Sequence, residues 1–226
     1  MECSTARGAS GQWEGWRRAP LAGMLSPPEE RAVNPARRRA QGQAQRILQS
    51  RPLFLDTETT GLGSEARIVE IALLDANGTV RFESLVRPLA PIPPDATAVH
   101  GITNAMVAGA PDWRSVWSEV GPLLSGEMIA IYNAEFDLRM MRSAHRRAGL
   151  AWTRPSDRFV CLMELYAEFR GDWNPIRRSY RWHSLEAAGQ QCALPLANNH
   201  RAAQDAALAR LLLEHMAHEL ADSTGG

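Results

Sequence analysis

Residues 52–63 read PLFLDTETTGLG. The apolar LFL run is typical of a short buried strand, which the following Thr and Gly residues end. Because side chains alternate along a strand, Asp56 and Glu58 lie on the same face. Two like charges at the end of a buried strand cost free energy unless a cation compensates them, so the pair indicates a hard metal ion. A carboxylate pair that caps the following turn is the alternative interpretation.

The segments after this strand extend it into a sheet. Residues 67–88, RIVEIALLDANGTVRFESLVRP, contain two strand-like runs around Asn77-Gly78, a pair that strongly favours a hairpin. Beyond Asp112, a good N-cap, the apolar period becomes helical, and the strand-like runs MIAIYN and RFVCLM then alternate with helical stretches. We therefore predict an α/β domain with a mixed sheet flanked by helices.

The composition is that of a globular domain with a leader. The chain has 226 residues, of which 45% are hydrophobic and 22% charged. Residues 1–45 are predicted to be a basic, disordered leader, because no sustained period appears up to about residue 36. A helix is predicted near its end, over residues 36–50. Residues 46–226 are predicted to form the functional domain. For the basic helix, contact with nucleic acid and simple exposure to solvent both remain open.

The chain lacks the signals of a membrane or secreted protein. No window approaches the roughly 18 to 20 apolar residues of a membrane helix, and the first residues have no apolar secretion signal. The three cysteines, Cys3, Cys161 and Cys192, include no close pair, which argues against a disulfide framework and against a zinc knuckle. We expect a cytoplasmic protein without membrane contact.

Three further residues add to the acidic pair. Asp137 falls in the first turns of a predicted helix, near its positive end, where Asn133 is a good N-cap candidate. His200 and Asp205 are five residues apart, which is roughly 140° apart on an ideal helix. They therefore cannot share one helical face, and we expect His200 in the loop or cap and Asp205 on the helix proper, both directed at one site.

Four segments together resemble the signatures of the DnaQ-like, DEDDh-type 3′-to-5′ exonucleases. The segments are FLDTETTGL, HGIT, IAIYNAEFD and HRAAQDA, in the family's order and spacing over about residues 52–221. The resemblance implies a ribonuclease H-like fold with a five-stranded mixed sheet. It also implies that Asp56, Glu58, Asp137 and Asp205 bind two divalent metal ions and that His200 is the general base.

The residue types suit that chemistry. Four carboxylates without Lys or Cys form a hard oxygen site that favours Mg²⁺ or Mn²⁺ over zinc. Two such ions can activate a water molecule and stabilise the leaving 3′ oxygen, and a neutral imidazole can take the proton of that water near neutral pH. The products implied are nucleoside 5′-monophosphates and a chain one nucleotide shorter.

The resemblance also implies a set of substrate contacts, each of which has a structural alternative such as a packed or loop-anchoring role. The residues are Thr57, Thr59, Leu62, His100, Asn133 and Phe136. Residues 170–182 interleave arginines with Trp173, Tyr180 and Trp182, as single-strand stacking surfaces do. The alternative for this stretch is a loop whose aromatic side chains fold onto the body.

Other functions compete with this interpretation. The substrate is expected to be DNA, at single-stranded or frayed 3′ ends, but an exoribonuclease uses the same metal chemistry. The oligoribonuclease branch favours Met near Thr59, so Thr59-Thr60 favours DNA. A ribonuclease H-like endonuclease, a binding module without catalysis and a structural cation site are the remaining alternatives. A polymerase partner is not evident, and we expect a stand-alone nuclease.

Overall fold

The computed structural model describes residues 34–153, 158–196 and 199–218, so most of the predicted leader lies outside the described residues. The elements follow in this order: α1 (Pro35–Gln49), β1 (Leu53–Thr59), β2 (Ile68–Leu74), β3 (Val80–Leu85), α2 (Pro94–His100), α3 (Asn104–Val107), α4 (Trp113–Leu124), β4 (Ile129–Ile131), α5 (Ala134–Arg147), β5 (Phe159–Cys161), α6 (Leu162–Arg170), β6 (Trp173–Asn174), β7 (Ser179–Tyr180), α7 (Leu185–Gln191) and α8 (Ala202–His218).

Five strands form one mixed sheet in the order β3-β2-β1-β4-β5. β1 pairs antiparallel with β2, and β2 with β3, whereas β4 runs parallel to both β1 and β5. This arrangement confirms the predicted α/β class with a five-stranded mixed sheet. Because β1 is central and parallel to β4, the carboxyl ends of both strands lie at one edge of the sheet.

The turn between β2 and β3 forms where the Asn-Gly pair predicts it. The Oδ1 atom of Asp75 accepts hydrogen bonds from the backbone N–H groups of Asn77 and Thr79, at 2.9 and 3.0 Å. Gly78 adopts a positive φ of 83°, a conformation that glycine reaches without a steric penalty. The hairpin therefore fixes the antiparallel half of the sheet.

The two faces of the sheet are covered by different helices. Phe54 packs in a core with side chains of α1, α6, α7 and α8, whereas Leu55, its neighbour in β1, packs with side chains of α4 and α5. Strand alternation therefore places Asp56 and Glu58 on the face of α8, and Thr57 on the face of α5. This division determines which helix can bring a third acid to the pair.

Helix α1 is part of the folded body, although most of it was expected to belong to the leader. Asn34 caps it through a 3.0 Å bond from the Ala36 N–H group to its Oδ1 atom. Ala40, Ala44 and Ile47 are buried in the core with α6 and α8. The described domain thus extends back to Pro35. The sequence did not reveal this, because a helical face made of alanines differs little in hydrophobicity from the rest of the helix.

None of the helices in the described part of the chain combines the length and the apolar character that a membrane span requires.

Candidate active site

Three carboxylates from two elements converge at the carboxyl end of β1. Asp56 and Glu58 project from β1, and Asp205 projects from the first turn of α8. One carboxylate oxygen from each lies within 4.8 Å of the others. The strand and helix therefore bring together three of the four acids that were selected from the sequence.

Asp137 approaches from the opposite face of the sheet. It is buried in the first turn of α5, and its Oδ1 atom accepts a 2.7 Å hydrogen bond from the hydroxyl group of Thr57. It lies outside the group of three oxygens, but it is close enough to raise the pKa of Asp56 through its charge. Thr57 thus positions the fourth acid beside the other three.

Burial and the mutual repulsion of the carboxylates raise the pKa values of the cluster. Burial, together with the charges of Asp137, Glu58 and Asp205, raises the pKa of Asp56 well above its ordinary range. Burial and the charge of Asp205 raise the pKa of Glu58 to about 8, and burial raises the pKa of Asp205 to about 6. Burial also raises the pKa of Asp137, despite the Thr57 hydrogen bond that lowers it. A positive charge among these oxygens would relieve the repulsion.

The cluster fits a divalent metal ion. All four side chains offer carboxylate oxygens, the ligands that Mg²⁺ and Mn²⁺ prefer. The Oδ1 atom of Asp205 is buried without a hydrogen-bond partner among the described residues, although buried polar atoms are almost always satisfied. This oxygen is therefore available to bind a cation.

His200 stands in the turn before α8, as predicted from the sequence. Its φ of 51° is in the left-handed region, and its Nδ1 atom lies 4.0 Å from the Oδ2 atom of Asp205. The side chain is 44% exposed, so water can reach the imidazole. The loop and the helix therefore direct His200 and Asp205 at one site from different elements.

An ion pair between a buried carboxylate and a partly exposed arginine, which was not predicted from the sequence, holds this turn. Glu70 of β2 lies opposite Glu58 in the sheet, and its carboxylate accepts hydrogen bonds from the Nε and Nη2 atoms of Arg201. The backbone N–H group of Ala202 donates a further 2.9 Å bond to it. The signal was a charged residue within the otherwise apolar run IVEIALL, which requires a partner once it is buried.

Two of the residues predicted to contact the substrate are held inside the protein. The Thr59 hydroxyl group donates to the carbonyl oxygen of Gly61, at 2.7 Å. His100 is buried: its Nδ1 atom accepts from the Ile102 N–H group at 3.0 Å, and its Nε2 atom lies 3.2 Å from the carbonyl oxygen of Thr59. Both side chains thereby fix the loop after β1, which corresponds to the loop-anchoring alternative for His100.

Three other residues predicted to bind the substrate are at least partly exposed. Leu62 is exposed after β1, and Phe136 is half-buried beneath the guanidinium group of Arg139, 5.3 Å from its ring. Asn133 takes the N-cap position of α5 in a left-handed conformation, with φ of 64° and ψ of 53°. Its side chain makes no capping bond, contrary to the capping role considered above, because a capping side chain requires an extended backbone. Its amide group is therefore available for a role other than capping.

Comparisons with known proteins agree with this geometry. The Exonuclease family model matches residues 53–213. Uncharacterized exonuclease CP81 of Escherichia phage 186 is 38% identical over 181 residues, which cover 77% of this chain and 92% of that protein. A DNA polymerase III subunit epsilon of Treponema pallidum is 30% identical over 175 residues, which cover 75% of this chain and 78% of that protein.

A solved structure shares both sequence and fold. Exonuclease X, determined in complex with 5′ overhanging duplex DNA, is 31% identical to this chain. The two structures superpose with a TM-score of 0.53, and the match covers 76% of this chain and 99% of that one.

Proposed function

The chain belongs to the DnaQ-like exonuclease family, and on that premise we propose that it is a metal-dependent 3′-to-5′ exonuclease that removes nucleotides from DNA ends. The observation that carries the proposal is the convergence of Asp56, Glu58 and Asp205, whose oxygens lie within 4.8 Å of one another beside His200. An enzyme of this family hydrolyses phosphodiester bonds, and the ligand set suits the divalent ions that such hydrolysis uses.

The carboxylates are proposed to hold the metal ions, and they need not transfer protons. Asp56, Glu58 and Asp205 offer one group of oxygens, and Asp137, positioned by Thr57, offers a further carboxylate beside Asp56. Two divalent ions held by these side chains would polarise the phosphate and stabilise the charge that develops on the leaving 3′ oxygen. Mg²⁺ and Mn²⁺ both fit an all-oxygen site, and we propose that either supports cleavage.

His200 is proposed to act as the general base. It is accessible to water at the rim of the cluster, and the turn before α8 holds it beside Asp205. The imidazole takes the proton of the attacking water, whose oxygen forms a new bond to phosphorus. The bond between phosphorus and the 3′ oxygen of the preceding nucleotide then breaks, and that oxygen takes a proton from solvent. The products are a nucleoside 5′-monophosphate and a chain with a new 3′-hydroxyl end.

DNA is the proposed substrate, with single-stranded or frayed 3′ ends preferred. The 31% identical exonuclease X was solved with a DNA duplex that carries a 5′ overhang, and the Treponema relative is named as a subunit of a DNA polymerase. RNA is the alternative substrate, because the metal chemistry does not distinguish the sugars.

A time course on 5′-labelled strands tests the proposal. Single-stranded DNA, a duplex with a recessed 3′ end and a matched RNA are incubated with Mg²⁺, with Mn²⁺ or with EDTA. We expect a ladder that shortens from the 3′ end, faster on DNA, absent with EDTA and absent for Asp205→Asn. Faster cleavage of RNA would move the assignment to an exoribonuclease. Absence of cleavage by folded protein would contradict the proposed function.

A further inference from the structure

Residues 170–182, here called the Arg-Trp hairpin, form an ordered projection. β6 and β7 pair antiparallel, with Trp173 opposite Tyr180. Asn174 closes the turn, since its Oδ1 atom accepts hydrogen bonds from the N–H groups of Ile176 and Arg177, at 3.0 and 3.1 Å. The stretch is therefore a defined two-stranded element rather than an irregular loop.

The Arg-Trp hairpin exposes large apolar side chains. Ile176 is 92% exposed, Trp182 67% and Trp173 52%. The rings of Trp173 and Tyr180 meet edge to face with their centroids 5.2 Å apart, which holds the indole ring in place. The two indole rings thus do not fold onto the body, whereas Tyr180 is half-buried. Apolar groups that remain this exposed together are typical of a binding surface.

The charge of the Arg-Trp hairpin selects the kind of partner. Arg170 pairs with Asp172 at 3.6 Å, but no ion pair of Arg177, Arg178 or Arg181 is found among the described residues. Three guanidinium groups beside accessible indole rings are suited to a strand that offers phosphates and unstacked bases, which is single-stranded nucleic acid.

The base of the Arg-Trp hairpin is fixed at the active edge of the sheet. The hydroxyl group of Tyr132 donates a 2.9 Å hydrogen bond to the carbonyl oxygen of His183, the residue directly after the hairpin. Tyr132 follows β4, the parallel neighbour of β1, and precedes the helix that carries Asp137. The hairpin therefore emerges close to the end of the sheet where the carboxylates lie.

We propose that the Arg-Trp hairpin binds the single strand that leads into the active site. Trp173 and Trp182 stack on its bases, and Arg177, Arg178 and Arg181 contact its phosphates. This inference rests on the proposed nuclease function, and it adds a substrate-binding element outside the carboxylate cluster. The proposal predicts that substitutions in the hairpin weaken the binding of long strands and leave the rate of hydrolysis of a single-nucleotide substrate unchanged.

The test compares two substrates in the full-length chain. A 12-nucleotide single strand can reach the Arg-Trp hairpin, whereas the p-nitrophenyl ester of thymidine 5′-monophosphate occupies only the site of hydrolysis. We expect Trp182→Ala and the double variant Arg177→Ala/Arg178→Ala to raise KM for the 12-mer by about 5- to 100-fold. Hydrolysis of the ester should stay within twofold of the wild-type rate. Val80→Ala and Arg81→Ala, exposed residues on the far edge strand β3, are the matched controls.

Direct binding adds a second readout. In an Asp205→Asn background, anisotropy of a fluorescent 12-mer gives Kd at several salt concentrations. The arginine double variant should reduce the slope of log Kd against log salt by about 0.7 for each phosphate that the protein no longer neutralises. An unchanged KM, Kd and salt slope would overturn the proposal and leave a protein partner as the reason for the exposed surface. Failure of wild-type protein to cleave either substrate would instead overturn the proposed function.

Discussion

At the scale of single residues, the role proposed for His200 can be tested apart from that of the proposed metal ligands. Its imidazole lies 4.0 Å from Asp205 and is partly exposed, so its removal leaves all four carboxylates in place. We expect His200→Ala to lower kcat by about 100- to 10,000-fold, the contribution typical of a general base, while KM changes little. Steady-state kinetics with a labelled 12-mer measure both constants.

The matched control for this variant is His218→Ala, which removes an exposed histidine at the far end of the same helix. It should retain wild-type kinetics. A His200→Ala enzyme that keeps its full kcat at neutral pH would exclude the general-base role and would not bear on the proposed metal site.

The Glu70–Arg201 pair predicts an asymmetric effect on stability. Glu70 is buried, whereas the Arg201 side chain is 38% exposed. Water can therefore solvate the arginine without its partner, but the carboxylate has only the arginine to compensate its charge. Arg201→Met leaves a buried charge unpaired and should lower the free energy of unfolding by about 3 kcal/mol. Glu70→Gln leaves an arginine that water can solvate and should cost less. Urea unfolding of both variants checks the order, and a larger loss for Glu70→Gln would contradict it.

At the scale of elements, His145 couples the packing of α4 and α5 to pH. The rings of Trp117 and Trp152 contact it edge-on, with centroids 4.3 and 4.7 Å away, and its Nε2 atom is buried without a hydrogen-bond partner in the described part of the chain. Burial lowers the pKa of His145 below its ordinary value. The folded protein therefore binds this proton less readily than the unfolded chain does.

The sign of the pH effect follows from that difference. The neutral His145 contributes its full stability above about pH 6.5, the ordinary pKa of histidine in an unfolded chain. That contribution is lost as the pH falls from there toward the lower pKa of His145 in the folded protein. We expect the Tm of the wild-type protein to fall relative to that of His145→Phe between pH 7 and pH 5, because the raised pKa values of the four carboxylates affect both proteins alike. Differential scanning fluorimetry at fixed ionic strength measures it, with the exposed-site variant His218→Gln as control. Parallel curves for His145→Phe and wild type would refute the coupling.

Helix α1 gives a second prediction about an element. Ala44 is fully buried in the core, so Ala44→Asp places an unpaired charge there. We expect a loss of about 3 kcal/mol, or roughly 10 °C in Tm for a domain of this size. Gln43→Asp adds the same charge on the exposed face of the helix and should change Tm little. Equal effects of the two substitutions would mean that α1 does not pack on the domain.

The sheet could be predicted because its signals are local. Apolar LFL, the Asn77-Gly78 turn and the N-cap Asp112 each favour one backbone conformation, and all three formed as expected. Helix α1 was assigned to the leader because an alanine face has little hydrophobic contrast. The Glu70–Arg201 pair joins residues 131 positions apart, so no local pattern reveals it. Likewise, the hydrogen bond between Thr57 and Asp137 joins residues 80 positions apart and depends on how α5 packs on the sheet, which no local pattern shows.

At the scale of the whole molecule, the fold brings together acids that the chain separates by up to 149 positions, since 205 − 56 = 149. The antiparallel hairpin and the parallel β4 hold β1 from both sides, and α8 returns from the end of the described chain to add Asp205. The like charges that collect there oppose folding until a cation neutralises them. Under the proposed function, folding, metal binding and hydrolysis are linked through this cluster.

A calorimetric titration of Mn²⁺ into metal-free protein, run beside a cleavage assay on the same samples, tests whether this cluster is the catalytic metal site. The wild-type protein should show saturable binding and cleavage that rises with occupancy. Asp56→Asn and Asp205→Asn, both folded by circular dichroism, should lose binding and cleavage together. A folded Asp205→Asn protein that binds Mn²⁺ and cleaves DNA as the wild type does would contradict the assignment of this cluster as the catalytic metal site.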